Sequence, residues 1–173
     1  MQTTLEEIRQ NMQEIVEELT RRGETITTME SCTGGGLCNE ITNVVGASTV
    51  YCESPITYCN KAKIRNGVPE ATIEEYTVYS FEVARAMAEA ACLIDNYDYG
   101  VGITGQIDRN DPQNPVNESK QIYIAVYDRN SDQYTTSVIT ATKKFRYENK
   151  ELVILEVTKM MKDILKNKKQ LTR

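Results

Sequence analysis

A β-prone segment that runs straight into a polar, glycine-rich turn constrains this chain more than any other feature. Thr25 to Gly36 reads T-I-T-T-M-E-S-C-T-G-G-G. Its first part suits an extended strand, and its glycines open a segment with helical character. Such a strand-to-helix unit must bury both elements against a sheet, which points to a layered α/β domain. The glycines also let backbone N–H groups approach a ligand, and a helix N-terminus favours an anion. A tight turn with no ligand has the same composition, so at this point both readings stand.

The absence of histidine removes the general base of Ser-His-Asp and Cys-His sites and the commonest zinc ligand. A hydrolase built on this sequence must move its proton with lysine, tyrosine or a carboxylate. The 20 basic and 25 acidic residues give a net charge of −5, and the basic cluster is confined to Lys162 to Arg173, where it suits the end of a last helix. A nucleic-acid partner is therefore not expected. The N-terminus lacks the apolar core of a signal peptide and no run is long enough to cross a bilayer, so the expectation is a soluble, cytoplasmic protein without a membrane partner. The five cysteines lack metal-finger spacing and are read as reduced thiols.

Apolar residues at Leu5, Ile8, Met12, Ile15, Val16 and Leu19 predict an amphipathic helix, closed by Arg21, Arg22 and Gly23. A strand Thr25 to Met29 follows, then a helix Leu37 to Val45. Ser48 to Tyr58 reads as a further strand, at an edge, bulged or interrupted because Pro55 lies within it. Short helical turns are expected at Asn60 to Arg65 and Glu70 to Glu75, and a helix capped by Ser80 with an alanine-rich stripe. The strand Tyr99 to Thr104 leads into an irregular loop from Gly105 to Ser119. The strands Gln121 to Tyr127 and Tyr134 to Thr142 form a hairpin, and a helix from about Glu148 to Lys166 ends the chain. This order predicts one domain over residues 1–173, a three-layer α/β/α sandwich around a mixed, mostly parallel sheet. An exposed edge strand is compatible with a homo-oligomer.

Ligands in such folds bind beyond the carboxyl ends of the strands, here the loops 30–36, 58–63 and 104–117. The first loop carries two nucleophile candidates, Ser31 and Cys32. Cys32 needs an electropositive setting, and without a C-x-x-C pair a redox role is the weaker reading. Ser31 needs a base, and the second loop offers Lys61 and Lys63 beside Tyr58 and Asn60. A desolvated lysine can accept a serine proton; equally, both lysines can be solvated surface charges, and spacing does not decide between these.

The motifs E-S-C-T-G-G at 30–35, Tyr58-Cys59-Asn60-Lys61-Ala62-Lys63, Val68-Pro69 and Thr104-Gly105 together resemble the CinA C-terminal domain family, the nicotinamide mononucleotide deamidases. The resemblance runs in order along nearly the whole chain. It implies hydrolysis of the carboxamide of nicotinamide mononucleotide to the nicotinate form and ammonia, with no cofactor and no metal. The implied catalytic pair is Ser31 and Lys63. Glu30, Thr33, Gly34, Gly35, Tyr58, Asn60, Thr104 and Gly105 are the implied substrate-binding positions, and a small-molecule nucleotide is the implied partner. Backbone N–H groups from Cys32 to Gly35 would hold an oxyanion or the phosphate.

The chain departs from the family pattern in two places. Where the family continues I-A-G-P-G-G-G, this sequence has Gln106-Ile107-Asp108-Arg109-Asn110-Asp111. After Phe145, where the family has G-D-R and a further arginine, it has Tyr147-Glu148-Asn149 and Val153. Arg109 and Arg146 are the cations available to replace the missing arginine. The competing reading is a relative that has lost the reaction and serves as a nucleotide-binding or protein-interaction module.

Overall fold

The computed structural model describes residues 3–108, 114 and 120–171. Helix α1 (Thr4–Arg22) begins with a capping box between Thr3 and Glu6 and ends at Gly23, whose φ of 67° is the left-handed stop that glycine adopts without strain. Strand β1 (Ile26–Glu30), helix α2 (Gly36–Thr42) and a short 3-10 turn (Ala47–Thr49) follow. Then come α3 (Asn60–Arg65), α4 (Glu70–Tyr76), α5 (Phe81–Leu93) and β2 (Tyr99–Gly105). The chain closes with β3 (Gln121–Asp128), β4 (Gln133–Thr140) and α6 (Arg146–Leu171).

The sheet order is β1-β2-β3-β4. It is mixed as expected, but its parallel share is smaller: β1 lies parallel to β2, whereas β2–β3 and β3–β4 are antiparallel. The short turn between β3 and β4 leaves no length for the crossover that a parallel pair requires. One face packs on α1, α2 and α6 through Tyr99, Val101, Ile103, Ile122, Ile124 and Val126. The other face meets α4 and α5 through Met29, Ala125 and Tyr127. Three layers result, with the core split by the sheet.

Residues 48–58 differ from their strand reading. Their carbonyls serve β1 at intervals, with Ile26 N donating to Val50 O at 2.8 Å and Glu30 N to Pro55 O at 3.0 Å. Within this segment, Ile56 alone forms a bridge, parallel to Glu30. Proline has no N–H to return, so the segment borders the sheet without completing a ladder.

Helix α5 lies very close to β2 because Gly100 and Gly102 present bare backbone to it. A Cβ on Gly102 would sit 2.1 Å from Ala84 O and 2.7 Å from Ala88 N. Both obstacles are backbone, so the helix itself would have to move. Gly102→Ala is expected to cost ~1–3 kcal/mol or more, measured as a lower midpoint in denaturant at unchanged slope.

Candidate active site

Strand β1 ends where β2, its parallel neighbour, also ends, and this is the crevice in which ligands of α/β sheets bind. Ser31 is the first residue beyond β1, and its N–H donates to Ile103 O at 3.1 Å, so the adjoining strand fixes it. The second loop is pinned to the same strand end. Thr57 N donates to Glu30 O at 2.7 Å, and α3 begins at Asn60, carrying Lys63 on its first turn. Lys63 Nζ lies 3.0 Å from Ser31 Oγ and 2.8 Å from Thr57 O. One short segment therefore sets both the strand end and the amine that faces the serine.

Lys63 is 2% exposed and Ser31 8%. Of the two environments open to Lys63 from its sequence, solvated surface or buried contact with Ser31, the fold adopts the second. Nζ donates to both oxygens, so the amine is held between the Thr57 carbonyl and the Ser31 hydroxyl.

The pair faces a cleft of about 240 Å³. Tyr58, Asn60, Thr104 and Gly105 line it, together with residues not singled out as substrate contacts from sequence: Val78, Tyr79, Gln106, Ile107, Asp108, Asn114 and Arg146. Tyr58 is 61% exposed at the rim, and its hydroxyl accepts from Arg146 Nη2 at 3.0 Å. Asn60 and Asn114 exchange side-chain amide hydrogen bonds of 3.1 and 3.2 Å, closing one side. The Thr104 hydroxyl donates to Val78 O at 2.8 Å, which leaves it an acceptor toward the cleft. Gly105 is needed by the sheet, since a Cβ there would stand 2.5 Å from Gln121 O.

Four of the sequence-derived positions do not line this cleft: Glu30, Thr33, Gly34 and Gly35. Glu30 is fully buried and its carboxylate accepts from Gly35 N at 3.1 Å, Leu37 N at 3.1 Å and Cys38 N at 2.8 Å. The chain thus supplies its own anion to the N-terminus of α2, where Gly35 offers no side-chain cap. A substrate phosphate has no opening there. Gly34 and Gly35 adopt φ of 61° and 91° to shape the turn, and Thr33 is buried beneath it. Gly34 N is also occupied, donating to Ser31 O at 3.0 Å. Among the described residues, the N–H groups of Cys32 and Thr33 are left without an acceptor, so the expected cradle narrows from four donors to these two. Arg109 and the rest of the family-divergent stretch at 109–113 and 115–117 lie outside the described residues.

Cys32 lines the cleft yet is 4% exposed, and burial pushes its thiol up to about 12 despite the nearby charges of Lys63 and Arg146. A thiolate nucleophile is disfavoured by this setting. Brief treatment of the folded protein with iodoacetamide at pH 8 is expected to label the exposed Cys52 and Cys59 and to spare Cys32 and Cys92, as read by peptide mass mapping.

The CinA C-terminal domain model matches residues 8–165. A competence-damage inducible protein of Caldicellulosiruptor saccharolyticus is 43% identical over 103 residues, covering 59% of this chain and 24% of that protein. A Clostridium botulinum protein of the same description is 42% identical over 105 residues, with 60% and 24% covered. The chain therefore spans about a quarter of the length of these relatives. Among solved structures, the competence/damage inducible protein CihA of Agrobacterium tumefaciens superposes with a TM-score of 0.82 at 24% identity, covering 92% of this chain and 96% of that one. A CinA superfamily protein of Klebsiella pneumoniae gives 0.82 at 18% identity, with 96% and 99% covered, which speaks to the fold. With a family match over nearly its full length and the same architecture in solved relatives, this chain belongs to the CinA C-terminal domain family.

Proposed function

We propose that the protein is an amidohydrolase that cleaves the carboxamide of nicotinamide mononucleotide, or of a closely related amide, with Ser31 as nucleophile and Lys63 as base. The observation that carries this reading is the 3.0 Å contact between Lys63 Nζ and Ser31 Oγ in a buried position at the head of a cleft. Geometry of this kind is the first requirement of a nucleophile and its base.

In this reading Ser31 Oγ attacks the amide carbon while Lys63 takes the hydroxyl proton. Of the two N–H groups left without an acceptor, that of Cys32 belongs to a residue lining the cleft and is the donor for the oxyanion. Collapse breaks the C–N bond, and Lys63 returns its proton to the departing nitrogen as ammonia leaves. Water then attacks the Ser31 ester, Lys63 again takes the proton, and the carboxylate leaves as Ser31 regains its hydrogen. Thr57 O holds the amine in place throughout, and Thr104 and the Asn60–Asn114 pair shape the space for the ring.

The competing reading, a non-catalytic nucleotide-binding module, draws on Asp108, an acid at the mouth of the cleft. Ammonia release separates the two. Incubation with nicotinamide mononucleotide is expected to yield ammonia and nicotinate mononucleotide in equal amounts. Ligand-induced thermal stabilisation with no ammonia from this or a panel of related amides would favour the module.

A further inference from the structure

Among the described residues the rim of the cleft carries one arginine, and that cation is already engaged. Arg146 opens α6, and its guanidinium spans the mouth, donating to Tyr58 Oη at 3.0 Å and pairing through Nη1 with Asp108 Oδ1 at 2.8 Å. Arg146 and Asp108 are 37% and 52% exposed in their side chains, which makes the pair a rim contact rather than a core one. Asp108 is the only acid lining the cleft among the described residues. One helical turn further along α6, Lys150 Nζ reaches the nucleophile loop, 3.4 Å from where a Cβ of Gly34 would stand. Two cations spaced i, i+4 on one face of α6 thus flank the loop that carries Ser31.

An exposed ion pair contributes only about 0–1 kcal/mol, so Asp108 holds Arg146 weakly. A phosphate monoester carries more charge than a carboxylate and accepts two parallel hydrogen bonds from a guanidinium. The Tyr58 hydroxyl is a second anchor for the guanidinium, independent of Asp108. The helix N-terminus that sequence alone offered to an anion is filled by Glu30, so the anion must be held elsewhere.

We infer that Arg146 is the phosphate-recognition residue of this cleft and that Asp108 is its built-in competitor, displaced when a phosphate monoester binds. This rests on the nucleotide reading above for the class of ligand, but not on the hydrolytic step. Asp108 then sets specificity: a neutral ligand leaves the pair intact and gains nothing from Arg146, while a phosphorylated one trades it for a stronger contact.

Calorimetric titration in a Ser31→Ala background, which prevents turnover, tests the assignment with nicotinamide mononucleotide, nicotinamide riboside and inorganic phosphate. The mononucleotide is expected to bind about tenfold or more tighter than the riboside, the size of a charge-assisted hydrogen bond. Arg146→Gln should abolish that preference, weakening the mononucleotide about tenfold more than the riboside. Asp108→Asn should tighten the mononucleotide by about threefold relative to the riboside. Inorganic phosphate should compete with the mononucleotide and fail to do so in the Arg146→Gln protein. Equal weakening of the mononucleotide and the riboside by Arg146→Gln, or weaker mononucleotide binding in Asp108→Asn, overturns the assignment. Loss of the phosphate preference with ammonia still released by the wild type would leave the amidohydrolase reading standing. An intact preference with every amide inert would overturn hydrolysis alone.

Discussion

Ser31→Ala and Lys63→Met should each remove amide turnover to near background, a loss of roughly 10⁴-fold or more, and the double variant should be no worse than either single one. Non-additivity of that kind marks two groups acting as a unit, as the proposed mechanism has them across their 3.0 Å contact. Methionine keeps the aliphatic stem of Lys63 in its buried slot, and alanine at Ser31 removes only a hydroxyl, so both variants should retain the wild-type melting temperature within a few degrees. The assay is ammonia release, run beside a thermal melt. If Lys63 only filled space, Lys63→Met would keep its activity. If it only oriented the loop, the double variant would lose more than either single one.

Glu30→Ala should act on stability instead. The substitution leaves three backbone donors at the start of α2 without their acceptor and takes a buried carboxylate out of a site folded around it. Leaving buried donors unsatisfied costs ~1–3 kcal/mol for each, which for a domain of this size adds up to a drop of roughly 10 °C in melting temperature. Glu30→Gln keeps an acceptor and should fall in between. Differential scanning calorimetry reads both. A Glu30→Ala protein that melts like wild type but binds nucleotide poorly would return Glu30 to the substrate contacts and remove it from the scaffold. With Glu30 as scaffold, any loss of activity in Glu30→Ala follows the loss of fold.

The contrast between these two neighbours shows what the sequence could carry. Helix α1, helix α5 behind Ser80 and the β3–β4 hairpin were legible because their apolar periods and caps are local. Lys63 was marked out from Lys61 only through the family motif; its burial depends on Thr57 being tied to β1, a contact between residues 27 apart in the chain. The contact of Glu30 with the first N–H groups of α2 was hidden in the sequence for the same reason. An acid at the end of a strand reads identically whether it faces a ligand or turns back to cap the next helix.

Residues 48–58 carry β-prone side chains but exchange only scattered hydrogen bonds with β1, and composition does not distinguish that from a paired strand. Arg146 was visible as a substitute cation, yet its position depends on meeting Tyr58, 88 residues earlier, and Asp108 on a separate loop. The smaller parallel share of the sheet was within reach, since the short link between β3 and β4 already requires an antiparallel pair.

At the centre of the proposed mechanism, Ser31 becomes covalently acylated by its substrate while Lys63 handles the proton. The most direct test is rapid acid quench of the wild-type protein during turnover of nicotinamide mononucleotide, followed by intact mass and peptide mapping. An adduct equal to the substrate minus ammonia is expected on Ser31, absent from Ser31→Ala and not accumulated in Lys63→Met. Hydrolysis at full rate by Ser31→Ala, or an adduct carried by Cys32, would contradict this mechanism.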